Sequence, residues 1–176
     1  MQEPTGNADG DVVNSIHRIG FTNLLDSGMA ADLSAAFLAA NADEGTVWLL
    51  SPTGDSLVAQ YNTGADAVKI MGFQQPLGRG LISMVFETEQ AFCENDVQRN
   101  CVQDKRLDRR VGKSTMALIA VPFSVRGEIC GVISCVQLEG GISRRTGFTG
   151  MDLDRVMQAE LALHQAVERS LATSPP

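Results

Sequence analysis

Apolar residues near the start of the chain recur at three- and four-residue spacing. Val12, Val13, Ile16, Ile19 and Leu24 fall near one face of a helix predicted from Asp11 to Asp26, with Asp11 at the end that favours negative charge. Gly20 and Gly28 weaken or end it. A second, alanine-rich helix is predicted from Met29 to Ala40, with Leu33, Phe37 and Leu38 at helical spacing; its small side chains let it lie close to a sheet. From Gly45 the period becomes that of strands. Thr46 to Leu50 reads as a buried strand, Ser51-Pro52-Thr53-Gly54-Asp55 as a turn, and Leu57 to Asn62 as the returning partner. Val68 to Gly72 reads as a third strand, Leu81 to Glu87 as a short helix, and Ala91 to Cys93 as a short strand.

Ser114 to Val136 holds two apolar runs around Ser124-Val125-Arg126-Gly127, a connection with glycine where a hairpin needs positive φ. Pro122 can donate no ladder hydrogen bond and marks a strand end or an edge. Gly131, inside the second run, signals a bulge or a close backbone approach. Few side chains here could do chemistry, which directs attention to binding. Glu94 to Lys113 is a long polar segment of the kind that more often carries function than decoration. A last helix is predicted from Thr149, capped with Asp152, along the stripe Leu153, Val156, Met157, Leu161, His164, Val167 and Leu171. This order implies few parallel crossovers. It predicts an α+β domain over residues 11–172, with an antiparallel sheet of about five or six strands and the N- and C-terminal helices packed on one face. Residues 1–10 and 173–176 are expected to be tails, the first of them disordered.

Composition narrows the function. A net charge of −7 argues against a general nucleic-acid binder. The first residues lack the basic start and apolar core of a signal peptide, and no apolar run approaches the roughly 18 residues that span a bilayer. Four irregularly spaced cysteines read as reduced thiols. A cytoplasmic protein is expected, without nucleic-acid or membrane partners.

Five pieces in order then identify a resemblance. They are Thr46-Val47-Trp48-Leu49-Leu50 with Gly54; Pro76-Leu77-Gly78-Arg79-Gly80-Leu81-Ile82; Glu89-Gln90-Ala91-Phe92 with Asn95-Asp96-Val97; Ser114-Thr115-Met116 through Ile133; and Phe148-Thr149-Gly150-Met151-Asp152. From about Met29 to Leu171 the chain resembles a GAF domain, the small-molecule sensor module of phosphodiesterases, phytochromes and many bacterial regulators. The resemblance implies a pocket between the sheet and the segment Leu81 to Lys113. It also implies terminal helices that form a bundle across a two-fold axis, hence a homodimer.

Candidate ligand-binding residues follow. Phe73, Ile82, Phe86 and Met116 are expected as apolar walls, and Asp96, Arg109 and Ser114 as the polar contacts. Lys105 to Lys113 carries five positive charges against one negative, so a small polar or anionic ligand is expected; a solvated loop paired with its own carboxylates is the plainer alternative. Cyclic-nucleotide GAF domains carry Asn-Lys and then Phe-x-x-x-Asp-Glu. Here Phe148 and Asp152 match, Leu153 replaces the glutamate, and Glu139-Gly140 stand where Asn-Lys belongs.

Free methionine-(R)-sulfoxide reductases of the family place cysteines after the glycine-rich loop and in the pocket. Leu81-Ile82-Ser83 and Leu107 to Arg110 contain none. Cys93 and Cys101 flank a loop and form the possible redox pair, while Cys130 and Cys135 read as core. His17 and His164 read as helix-interface residues, and no metal-ligand spacing is present. The expected function is a non-catalytic sensor without cofactor that signals to a partner protein. The alternatives are an interaction module with a collapsed pocket, and a thiol-based redox sensor or reductase.

Overall fold

The computed structural model describes residues 11–173. The expected N-terminal tail and residues 174–176 lie outside them, while Thr173 closes the last helix. Helices α1 (Asp11–Ile19), α2 (Phe21–Leu24) and α3 (Ser27–Ala39) precede β1 (Glu44–Leu50) and β2 (Ser56–Asn62). Next come α4 (Ala67–Ile70), β3 (Gln74–Pro76), α5 (Gly80–Thr88), β4 (Phe92–Glu94), a 3-10 turn (Val97–Arg99) and α6 (Arg106–Val111). Strands β5 (Thr115–Val125) and β6 (Glu128–Leu138) form the long hairpin, and α7 (Gly150–Thr173) ends the chain. The six strands lie in the order β3-β2-β1-β6-β5-β4 and every pair is antiparallel.

Local chemistry sets several boundaries that periodicity misplaces. Gly20, at φ 86°, divides the first expected helix into α1 and α2. Helix α3 begins before Met29 because the Asp26 carboxylate accepts the Met29 N–H at 2.8 Å and caps it. The strand expected over Val68 to Gly72 is instead the helical turn α4. Val68 is 91% exposed and only Ile70 is buried, so the apparent alternation is not a sheet face. The Asp66 carbonyl accepts from Lys69 N and Ile70 N, and the two charged side chains pair at 2.7 Å. The strand of that region is β3, which pairs antiparallel with β2 through Ser56, Leu57 and Val58.

The hairpin is as the sequence implies. Arg126 and Gly127, at φ 53° and 80°, form its two-residue turn. Pro122 lies within β5 but beyond the residues of β5 that pair with β4, where a missing N–H interrupts no ladder on that side.

Alternation divides the sheet between two cores. Val47 and Leu49, Ala117 to Phe123 at every second position, and Ile133 and Cys135 face α1, α2, α3 and α7. Trp48, Leu118, Ala120 and Val132 face α4, α5 and the 3-10 turn. Gly45 allows α3 to press on β1, since a Cβ there would lie 2.3 Å from the Phe37 ring. His17 Nε2 donates to Leu50 O at 2.7 Å and His164 Nδ1 to Ser124 O at 2.5 Å, so both histidines tie helices to strand ends.

Helix α7 starts on a reciprocal cap. Thr149 N and Oγ1 each donate to Asp152 Oδ2 at 2.8 Å, and Asp152 N reaches back to Thr149 Oγ1 at 3.4 Å. Arg145 and Arg155 pair with the same fully buried carboxylate. Burial alone would raise its pKa, but the hydrogen bonds from Arg145 and Thr149 outweigh it and hold the group below the usual range. Asp152→Ala is expected to lose about 2 kcal/mol, the cap and the charged hydrogen bonds together. A urea midpoint at pH 7 checks this, and an unchanged midpoint would mean the cap does not hold α7.

Candidate functional site

On the face away from the terminal helices, the sheet and the segment from α4 to α6 enclose a cavity of about 60 Å³. Its floor is one phase of the strand alternation: Glu44, Thr46 and Trp48 from β1, Ser134, Val136 and Leu138 from β6, and Thr115 and Leu118 from β5. Its roof is Ile70, Gln75, Gly80, Leu81, Ile82, Gln103, Asp104, Leu107, Asp108 and Val111. Helix α6 supplies the roof through one face, placing Leu107, Asp108 and Val111 inward.

A β-bulge decides which β5 residue reaches the floor. Thr115 pairs with Leu138 and Ala117 with Gln137, so Met116 is an extra residue on β5. Counting back by twos from Leu118 selects Met116 and Ser114; the bulge shifts the phase by one and delivers Thr115. Met116 is 39% exposed.

The polar groups inside form a defined network. Trp48 Nε1 donates to Ser134 Oγ at 2.9 Å, and Asn62 Nδ2 to Thr46 Oγ1 at 2.9 Å. Both hydroxyls are buried, accept one bond, and have no acceptor for their own hydrogen among the described residues. Thr115 N and Oγ1 donate to Asp108 at 2.9 and 2.8 Å. Lys113 Nζ approaches Glu44 Oε2 at 3.3 Å and Asp66 Oδ2 at 2.9 Å. Burial would lower the Lys113 pKa, but Asp66 and Glu44 hold it above the ordinary lysine value.

Asp104 pins the roof to its surroundings. It accepts from Arg106 Nε at 3.1 and 2.8 Å and from Gln75 Nε2 at 3.3 Å, with Arg106 Nη2 at 2.7 Å. The Arg106 guanidinium holds its carboxyl down at about 2, from the ordinary 3.8. Since the folded pKa lies below the unfolded one, this contribution is full above pH 4 and is lost as pH falls toward 2. Asp104→Asn is therefore expected to flatten the stability profile between about pH 4 and 2, read by thermal melts across that range. A slope equal to that of the parent chain would remove Asp104 as the pin.

The residues expected at the site are dispersed. Ile82 lines the cavity. Phe73 and Phe86 pack in the surrounding core, Phe73 at 6.4 Å edge-on to Trp48 and beneath Arg110. Asp96 is exposed, and its carboxylate lies 3.6 Å from Arg99 Nε. Ser114 is half-buried and its carbonyl accepts from Glu139 N.

Arg109 lies in an outer vestibule with Gly78, Arg79, Gly80, Cys101, Val102, Gln103, Asp104 and Lys105. Cys93 is exposed on β4, where burial of its sulfur, then Glu94 and Asp152, push its pKa up. Burial pushes Cys130 up to about 11. Neither shift favours a thiolate nucleophile.

Glu44, Thr46, Trp48, Ser134, Asp104, Asp108 and Thr115 line the cavity and are not among the residues expected there. Two signals were available: the phase of β1, and a serine inside the apolar run of β6.

No curated protein sequence matches the chain. Among solved structures, the GAF domain of a phosphoenolpyruvate-protein phosphotransferase (ptsP) from Coxiella burnetii is similar, with TM-score 0.66 and 16% identity over 94% of this chain and 98% of that one. Residues 122 to 287 of a methyl-accepting chemotaxis protein give 0.64 and 18%, over 94% and 100%. A free methionine-R-sulfoxide reductase from Neisseria meningitidis, in complex with its substrate, gives 0.60 and 15%, over 97% of both chains. These likenesses show the fold. The family model for the GAF domain matches residues 32–167, and the chain belongs to the GAF domain family.

Proposed function

We propose that this chain is a non-catalytic GAF sensor that binds a small polar molecule in the cavity between the sheet and α4–α6. One observation carries the reading. Ser134 and Thr46, 3% and 7% exposed, line the cavity with hydroxyl hydrogens that have no acceptor among the described residues. Each oxygen already accepts one bond, and a ligand oxygen or nitrogen would accept the hydrogen that remains. The charge of the lining revises the expected ligand. Glu44, Asp104 and Asp108 are its ionisable groups, so the inner chamber favours a donor or cationic group over an anion.

The roof is held over the cavity by polar ties: Asp104 to Arg106 and Gln75, Lys113 to Glu44 and Asp66, and Arg110 Nε to Lys69 O at 2.8 Å. A ligand that fits the closed arrangement better shifts the population toward it. The strands that floor the cavity carry the helical core on their other side: Trp48 beside Leu49, Leu118 beside Ile119, Ser134 beside Cys135. Occupancy therefore acts on α3 and α7 across one sheet thickness. Met157 and Leu161, one turn apart on α7 and 48% and 54% exposed, give that helix an apolar surface for a second copy or a signalling partner.

A thermal-shift screen of cyclic nucleotides, nitrate, organic acids, amines and amino acids tests the reading, alongside Leu118→Trp, which fills the cavity. At least one compound is expected to stabilise the parent chain and to leave the folded variant unaffected. No stabilisation by any compound, or equal stabilisation of the variant, would overturn it.

A further inference from the structure

We infer that the ligand is a zwitterion with separated charges, a basic or ω-amino acid, bound amine inward and carboxylate outward. This rests on the sensor reading above and names the class of molecule. The cavity and the outer vestibule share Gly80, Gln103 and Asp104, so the two chambers adjoin across these residues, and the ligand would pass between them by parting the Gln75–Asp104 contact. Their unpaired charges are opposite. Inside, Glu44 is paired with Lys113 and Asp104 with Arg106, but Asp108 has no ion-pair partner among the described residues. Glu44 also keeps one carboxylate oxygen without a hydrogen-bond partner there. Outside, Lys105 donates to the Gln98 carboxamide and Arg109 Nε to the Lys105 carbonyl, neither to a carboxylate, and Arg79 stands 3.8 Å from Asp104.

One helix builds this dipole. Asp108 and Arg109 are neighbours on α6, one lining the cavity and the other the vestibule, with Lys105 one turn from Arg109. The concentration of free positive charge at the mouth stands out in a chain of net charge −7 and would draw an anionic group to it.

The space between the charges selects the molecule's body. The inner chamber is narrow, about 60 Å³, and walled by Trp48, Ile70, Leu81, Ile82 and Leu118. Such a space admits an unbranched methylene chain and is small beside the usual ligand pocket of about 300–1,000 Å³. The buried Ser134 and Thr46 hydroxyls and the Gln103 carboxamide, whose side chain has no hydrogen-bond partner among the described residues, are the polar groups along that path. An ammonium group would meet Asp108 and the free Glu44 oxygen. A carboxylate would remain at the rim with Lys105 and Arg109, where guanidinium geometry suits it.

The test is calorimetric titration of the full chain with lysine, ornithine, γ-aminobutyrate and 6-aminohexanoate, each beside hexylamine, which lacks the carboxylate, and hexanoate, which lacks the amine. At least one of the four zwitterions is expected to bind. Hexylamine should be weaker by about tenfold and hexanoate by about a hundredfold, following the usual worth of charged hydrogen bonds. In the Lys105→Ala, Arg109→Ala double variant the zwitterion should fall to the level of hexylamine, and hexylamine should not weaken, since the variant removes only positive charge. Hexylamine binding as tightly as the zwitterion, or binding by other compounds of the screen and by none of the four, would overturn this inference and leave the sensor reading standing. Binding by no compound would overturn both.

Discussion

Gly131→Val is expected to remove most of the domain's stability, about 3 kcal/mol or more against the 5–15 kcal/mol of an ordinary fold. Gly131 lies on β6 opposite Leu49 of β1, in the middle of the sheet. A Cβ there would stand 1.8 Å from the Trp48 carbonyl oxygen, with the Trp48 carbonyl carbon and Leu49 Cα at 2.9 and 3.0 Å. These are backbone atoms of a paired strand and cannot rotate aside as a side chain can. Relief requires β1 and β6 to separate, which breaks their ladder and displaces the floors of both cores together. The urea midpoint of the variant should fall steeply or the chain should fail to accumulate in folded form. A midpoint within experimental error of the parent would contradict this close strand approach.

Trp48→Ala is the second large effect, with an expected loss of about 3–5 kcal/mol, the usual range for truncating a buried aromatic residue. Trp48 is 3% exposed, stands edge-on to Phe73, and packs with Leu57, Ile70 and Leu118 in the core beneath α4 and α5. Its Nε1–H is also the donor to Ser134 Oγ, so truncation leaves that buried hydroxyl without its partner. Trp48→Phe should separate the two contributions. It keeps most of the packing and loses the hydrogen bond, and should cost about 1–2 kcal/mol through the unpaired hydroxyl. Equilibrium denaturation of both variants checks the order, and a phenylalanine variant as unstable as the alanine one would mean that packing is not the larger part.

Strand patterns made most of the fold legible. The hairpin from β5 to β6, with its Arg126-Gly127 turn and the close approach at Gly131, could be read from residue order because each signal is local. Where two local signals competed, periodicity misled. At Val68 to Ile70 the alternation of two apolar residues pointed to a strand, while the Asp66–Lys69 pair and backbone bonds close a helical turn. The site was less legible, for two physical reasons. The bulge at Met116 reverses the phase of β5 at the one end that meets the cavity, and such an insertion leaves no mark in an apolar run. The basic segment Lys105 to Lys113 reads as one positive patch until it folds. As helix α6 and its flanks it divides, with Asp108 inward, Lys105 and Arg109 outward, and Arg106 and Lys113 spent on Asp104 and Glu44.

A small molecule in the cavity above Trp48 would be reported by Trp48 itself. The chain has one tryptophan, so a nitrogen–proton correlation spectrum contains one indole resonance, from the Nε1–H that bonds Ser134. Titration with 6-aminohexanoate, and in separate arms with cyclic AMP, nitrate and citrate, should move that resonance saturably for any compound that binds. Binding seen by calorimetry with an unmoved indole, and with amide shifts confined to α3 and α7, would place the ligand on the helical face and contradict the account.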